Sequence, residues 1–278
     1  MTLLTGINTG IIKSPKGVLA IVVKATTSST AEQLLYLPPD RVQELMFALC
    51  GGYRALQRLH QACPETITAQ VQKETLAMSA SVPSVTPDEV HNPILALRVT
   101  DLVMKLRENN VTLLFFLQDS SVVTLELALT QMEFMLNVFV TTIQNTQDAL
   151  FIAMCSGAND FVPLYTVDFT QEKGKGINYN QFTIPDWKSR ICPWLYSVIA
   201  LQRDGAIPCG IIIKTGQALD PGRAEAIGQL LLRSNGLLMP FEESVSAFDC
   251  MRLDLQAGEE STETLLRAHL KHRVMKLS

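Results

Sequence analysis

Charge is the first thing this chain lacks. Only 18% of its 278 residues are Asp, Glu, Lys or Arg, against 47% hydrophobic. Disordered chains combine low hydrophobicity with high net charge, so this composition excludes them and specifies a packed core. The polar surface left to cover that core is thin, and large exposed apolar patches usually meet a partner. A homo-oligomer or a protein partner is therefore expected. Net charge is −4, with no excess of Lys and Arg to neutralise phosphates, which argues against nucleic acid in that role.

The opening stretch "MTLLTGINTGIIKSPKG" has neither the basic n-region nor the small-residue cleavage site of a signal peptide. No apolar run reaches transmembrane length, since "VTLLFFLQDSSVVTLELAL" is cut by Gln118 to Ser121. These absences predict a soluble, cytoplasmic protein with no membrane partner. The six cysteines (Cys50, Cys63, Cys155, Cys192, Cys209, Cys250) contain no C-x-x-C pair. They read as reduced, buried, small hydrophobes and not as a disulfide framework.

Catalytic signatures are missing too. There is no G-x-S-x-G elbow, and no H-E-x-x-H, D-x-D or E-x-x-H spacing. The glycines of "EKGKGINYNQF" (172–182) fail as a phosphate loop, because Lys175 is followed by Gly176 and not by the Ser or Thr that opens a helix. A Rossmann fingerprint fails on its third glycine. His269 and His272 stand three apart near the C-terminus, but Arg267, Lys271, Arg273 and Lys276 crowd the same turns and would repel a cation. Cys155 and Ser156 lie near Asp160, yet a buried cysteine ahead of the helix stop Gly157 accounts for them without chemistry. No cofactor and no metal are expected, and the balance leans away from an enzyme.

What is present is periodic structure. Residues 3–12 and 18–24 flank the turn "KSPKG" as a hairpin, and the unbroken apolar "GVLAIVVK" specifies a strand covered on both faces. "QLLYL" is a third strand, stopped by Pro38-Pro39. Asp40 reads as the N-cap of a helix running to about His60, with Gly51-Gly52 either bending it or admitting a close neighbour. A polar connector spans Cys63 to Asn92, with a helical piece through "ITAQVQKETLAM". Strands at 97–106, 111–118 and 122–129 follow, and Thr130-x-x-Glu133 reads as a capping box before the stripe Met132, Met135, Leu136, Phe139, Val140, Ile143.

Three strands and a helix thus occur twice. "LLYLPPDRVQELMFAL" (34–49) and "TLELALTQMEFMLNVF" (124–139) can be read as the same strand-to-helix transition, and an internal duplication is the hypothesis this raises. Two helices crossing unrelated sheets in different ways would sink it. The last third adds strands at 161–169, 194–203, 209–215 and 247–255. It also adds a helix capped by Asp220-Pro221 and an amphipathic helix over 262–275.

One polar cluster stands out. Asp168, Lys175, Asn178, Tyr179, Asp186 and Trp187 gather charged, amide and aromatic groups in a short segment, typical material for a binding surface. The alternative is that Tyr179 and Trp187 fold inward as anchors while the polar groups satisfy backbone.

The stretches "LTGINTGIIKSPKGVLAIVVKA" and "INYNQFTIPDWK", with the overall length, resemble the YjeJ-like family of uncharacterised enterobacterial proteins. The resemblance implies a bacterial cytoplasmic protein and carries no catalytic residues. The fold expected is α+β: antiparallel β-meanders with helices packed on one face, in two or three sequential β3α-like units. Their bounds are 1–82, 83–160 and 161–278, or all of them form one compact domain. The function expected is a non-catalytic protein-interaction or self-associating module. The alternatives are a small-ligand binder or enzyme with its site at 168–188, and a nucleic-acid binder using the basic C-terminal helix.

Overall fold

In a computed structural model the described residues are 3–29, 32–157, 161–168, 186–191, 195–203, 206–215, 219–234, 238–245 and 247–253. The chain divides into two units, Met1–Asn159 and Asp160–Ser278. The class is α+β, with every named strand pairing antiparallel.

The first unit opens with β1 (Leu4–Ser14), β2 (Gly17–Thr27) and β3 (Glu32–Leu37), a meander in sequence order. Gly17 has φ 126°, a conformation only glycine adopts cheaply, and it turns the chain into β2. Pro38 ends β3 and caps α1 (Pro39–Ala62), so the helix starts one residue ahead of the expected cap Asp40, which lies inside its first turn. A proline at the first helical position costs nothing, since its missing N–H would have been unpaired there.

The connector is more helical than its composition announced: α2 (Pro64–Ala80) and α3 (Pro87–His91). The second meander is β4 (Val99–Leu106), β5 (Asn110–Leu117) and β6 (Val122–Ala128), followed by α4 (Met132–Asn145) and α5 (Ala149–Gly157). The capping box before α4 is not Thr130 with Glu133. The backbone N–H of Ala128 donates to the Gln131 side chain, a 3₁₀ turn over Leu129–Gln131 leads the helix, and the buried Thr130 hydroxyl has no partner among the described residues. Gln131 is buried because it also donates to the Leu4 carbonyl, tying the start of β1 to the start of α4. A hydrophobic pattern locates a helix but not which of several short polar residues caps it.

The inner faces of both meanders and the facing sides of α1 and α4 form one core. Leu4, Ile7, Ile21, Val23, Leu35 and Leu37 come from the first sheet, and Val99, Leu102, Val111, Leu113, Phe115, Leu125 and Leu127 from the second. Val42, Leu45, Leu49, Met132, Met135 and Phe139 are buried on the helices. The helix pair resolves the question of Gly51-Gly52: a Cβ on Gly52 would lie 2.5 Å from Met132 Sδ. The glycine exists for close approach. Each helix also packs on the other meander's first strand, α1 on β4 and α4 on β1. The meanders touch at both ends through single parallel bridges, Tyr36 with Arg98 and Leu3 with Glu126. The six strands follow one another in a complete circuit.

The second unit has β7 (Phe161–Asp168), α6 (Asp186–Ile191), β8 (Leu195–Arg203), β9 (Ala206–Thr215), α7 (Pro221–Ser234) and β10 (Ala247–Leu253). Its sheet runs β10-β8-β9-β7, and α7 packs on β10. The expected Asp220 cap is present, its carboxylate accepting from the Arg223 N–H at 2.8 Å. The expected helix over 262–275 lies outside the described residues.

Candidate functional site

The outer faces of the two meanders differ. On the first, positions alternate so that Gly6, Asn8, Gly10, Val22, Lys24 and Thr26 point away from the helices. The connector crosses this face. A Cβ on Gly6 would meet the Ser81 carbonyl oxygen at 1.9 Å, and one on Gly10 would meet Val90 and Val85 at 3.2 and 3.3 Å. Asn8 donates to the Pro83 carbonyl at 2.8 Å and Thr26 to that of Ser81 at 3.3 Å. Ile21, Val22 and Val23 are consecutive and all buried, so the strand expected to be covered on both faces is covered on both.

An ion pair pins the connector. Lys24 Nζ lies 2.8 Å from Glu89 and 3.1 Å from the more exposed Glu32. Glu89 also completes a capping box with Thr86 at the start of α3, and its carbonyl accepts from the Tyr36 hydroxyl. The bond from Lys24 holds the Glu89 carboxyl below its ordinary range, and the same bond raises the Lys24 ammonium.

The outer face of the second meander carries no such strap among the described residues. The pairing register sets three rows across it: Asp101–Phe116–Val122, Val103–Leu114–Thr124 and Lys105–Thr112–Glu126. Phe116 is 37% exposed and Val122 48%, and the central row is half-buried. Beside them the 3₁₀ turn Leu95–Leu97 leans on the β5–β6 turn, with Asp119 N donating to the Ala96 carbonyl. It displays Ile94 at 52% exposure and Leu95 at 73%. Charges flank the apolar row on one strand, Asp101 at one end and Lys105 at the other. Asp101 also reaches Arg41 at 3.4 Å, a contact exposed enough to leave it available.

Sequence reasoning missed this face, since "VTLLFFL" is apolar at six of its seven positions, with Thr112 the exception, and gives no sustained period-2 signal. Only the strand partners reveal which half of the run faces solvent.

Of the residues in the polar cluster, Asp168 closes β7 opposite Cys209 and Asp186 opens α6. Trp187 is buried on that helix, with Lys188 Nζ 5.4 Å from its ring centroid, so the indole is an anchor. Lys175, Asn178 and Tyr179 lie outside the described residues, as do His269 and His272. His60 shares a hydrogen bond with Thr68 across the α1–α2 junction. Burial pushes the Cys155 thiol up to about 12, the opposite of what a nucleophile needs. Among the described residues no group of three or more His, Cys, Asp or Glu could hold a metal ion, and no helix is long and apolar enough to cross a membrane.

Comparison with known proteins bears on identity and not on chemistry. The chain is 25% identical over 231 residues to the Uncharacterized protein YjeJ of Escherichia coli (strain K12), covering 82% of this chain and 79% of that one. No solved structure matches. The model of the YjeJ-like family matches residues 1–277, nearly the whole chain, and the protein belongs to that family.

Proposed function

We propose that this is a non-catalytic, soluble, cytoplasmic interaction module that associates with a second copy of itself through the outer face of β4, β5 and β6. The observation carrying this reading is the row Asp101–Phe116–Val122 with the half-buried row beneath it, an apolar surface in a chain short of charge. A two-fold partner packed face to face, with its strands antiparallel, sets Asp101 of one copy against Lys105 of the other. Val103 and Leu114 then meet at the centre. The Asp101–Lys105 pairing and the Val103–Leu114 centre are self-complementary, as an isologous interface requires, while Phe116 and Val122 lie over Thr112 and Glu126 of the other copy. Charged groups at its rim set register and not affinity.

Size-exclusion chromatography with light scattering over a wide concentration range tests it. The wild type is expected to reach twice the monomer mass. Phe116→Asp, with its circular dichroism unchanged, is expected to stay at the monomer mass. A wild type that remains monomeric throughout, or a Phe116→Asp variant that associates equally well, overturns the proposal.

A further inference from the structure

We infer that residues 3–56 and 98–146 are two copies of one β3α repeat, related by an approximate two-fold axis and derived from a duplication within the chain. Topology alone does not carry this, because many unrelated chains place a helix after a meander. The hydrogen-bond register does.

Shifting the first strand by 95 residues takes Ile11 to Leu106, and shifting the second and third by 90 takes Ile21 to Val111 and Leu37 to Leu127. Under those two shifts the pairs of the first meander become pairs of the second. Ile11 with Ile21 becomes Leu106 with Val111, and Ile7 with Ala25 becomes Leu102 with Phe115. Ile21 with Leu37 becomes Val111 with Leu127, and Val23 with Leu35 becomes Leu113 with Leu125. The register break between Leu4 and Gly6 becomes the break between Val99 and Asp101. The bond from Ser28 N to the Leu3 carbonyl (2.8 Å) becomes that from Gln118 N to the Arg98 carbonyl (2.9 Å).

The symmetry extends to the contacts between repeats. Applied to the bridge of Leu3 with Glu126, the shifts return Arg98 with Tyr36, which is the other bridge. An operation that exchanges two junctions is a two-fold one, and the packing of α1 on β4 and α4 on β1 is exchanged in the same way. On the helices the shift of 90 takes the buried Val42, Leu45 and Leu49 to the buried Met132, Met135 and Phe139. The buried positions of the two helices and their packing on the opposite meander's first strand thus correspond under the same shifts, while α1 packs in addition on β2 and β3.

Physical necessity does not explain the coincidence. A bulge can fall at many positions in a pair of long strands. Keeping a hydrophobic face inward fixes register only modulo two residues. Common descent explains both without further assumption. The shifts differ by five because the β1–β2 hairpin is that much longer, and its tip bonds to the α4–α5 junction through Val18 N and Asp148 (3.2 Å).

The repeats have diverged chiefly on the outer face. Gly6, Asn8, Gly10, Lys24 and Thr26, which receive the connector, correspond to Asp101, Val103, Lys105, Leu114 and Phe116, which do not. The open face is the counterpart of a covered one. This inference does not rest on self-association: a monomer could carry the same repeats.

A crystal structure of the full chain tests the geometry. Residues 3–11, 21–28 and 33–56 should superpose on 98–106, 111–118 and 123–146 by a rotation close to a half-turn. The sequences of the family test the descent. Comparing their two halves at every relative shift should give the highest similarity at these two shifts, above shuffled controls. A better superposition at another register, a rotation far from a half-turn, or similarity no higher than at other shifts overturns it.

Discussion

Single residues in this molecule act through how closely the backbone approaches them. At Gly6 the obstacle is a peptide carbonyl of the connector, 1.9 Å from where a Cβ would stand, while at Gly10 it is the methyl groups of Val90 and Val85 beyond 3 Å. Gly6→Ala should therefore cost about 1–3 kcal/mol through forced backbone movement. Gly10→Ala should stay within about 1 kcal/mol of the wild type, because the lost backbone freedom of glycine offsets a mild contact. Urea denaturation of the two variants separates them, and equal losses would contradict the geometry. Thiols divide in a similar way. Cys155 is buried and its thiol held near pKa 12, whereas Cys63 is exposed. Brief alkylation of the native protein at pH 8, read by peptide mass, should modify Cys63 and spare Cys155. Such contrasts are invisible in the sequence: "LTGINTG" announces two glycines and not which one faces a carbonyl. The cap before α4 is hidden for the same reason, since Thr130 and Gln131 are both fit for the task and only the path of the chain selects between them.

At the scale of elements, polar contacts around Glu89 join the Asn8–Pro83 and Thr26–Ser81 hydrogen bonds in holding the connector to the first sheet. The carboxyl of Glu89 titrates below its ordinary 4.5 when folded, so its contribution is present above that value and lost as pH falls through the folded one. Lys24 titrates above its ordinary 10.5, so its contribution is complete below that value and lost as pH rises through the folded one. The pair should stabilise the fold fully between these limits. Glu89→Gln should cost about 1.5–3 kcal/mol at pH 7, the range of hydrogen bonds to charged groups. The gap from wild type should close as pH drops below 4.5, which urea unfolding across pH checks. A gap that is constant with pH would mean the charge is irrelevant. Most elements were legible from period and punctuation: β2 as doubly covered, α4 from its apolar stripe, α7 from Asp220-Pro221. The face of β4–β6 was not, because a strand whose apolar run is broken only by Thr112 needs its neighbours before its two sides can be told apart. Of the polar cluster read from the sequence, only Trp187 has a described side chain, and that side chain is buried.

For the whole molecule, the circuit of six strands and its two helices form one core within Met1–Asn159. A chain of residues 1–159 should then be soluble and unfold in a single cooperative urea transition, as small domains with their own core do. A broad, non-cooperative transition would show that the division into units is not a division of stability. The bridge between Leu3 and Glu126 has a bearing on how the protein is made. When β3 leaves the ribosome at Leu37, β1 has no neighbour on its outer side until Glu126 is synthesised, 89 residues later. At about 5–20 residues per second that interval is roughly 4–18 s. Over it the first meander presents two unpaired strand edges until Arg98 is made, and then the edge of β1 alone, the kind of surface that pairs with other chains. A nascent polypeptide in this state is a natural client for a chaperone, and the time at risk is set by the distance along the gene between the two halves of the circuit.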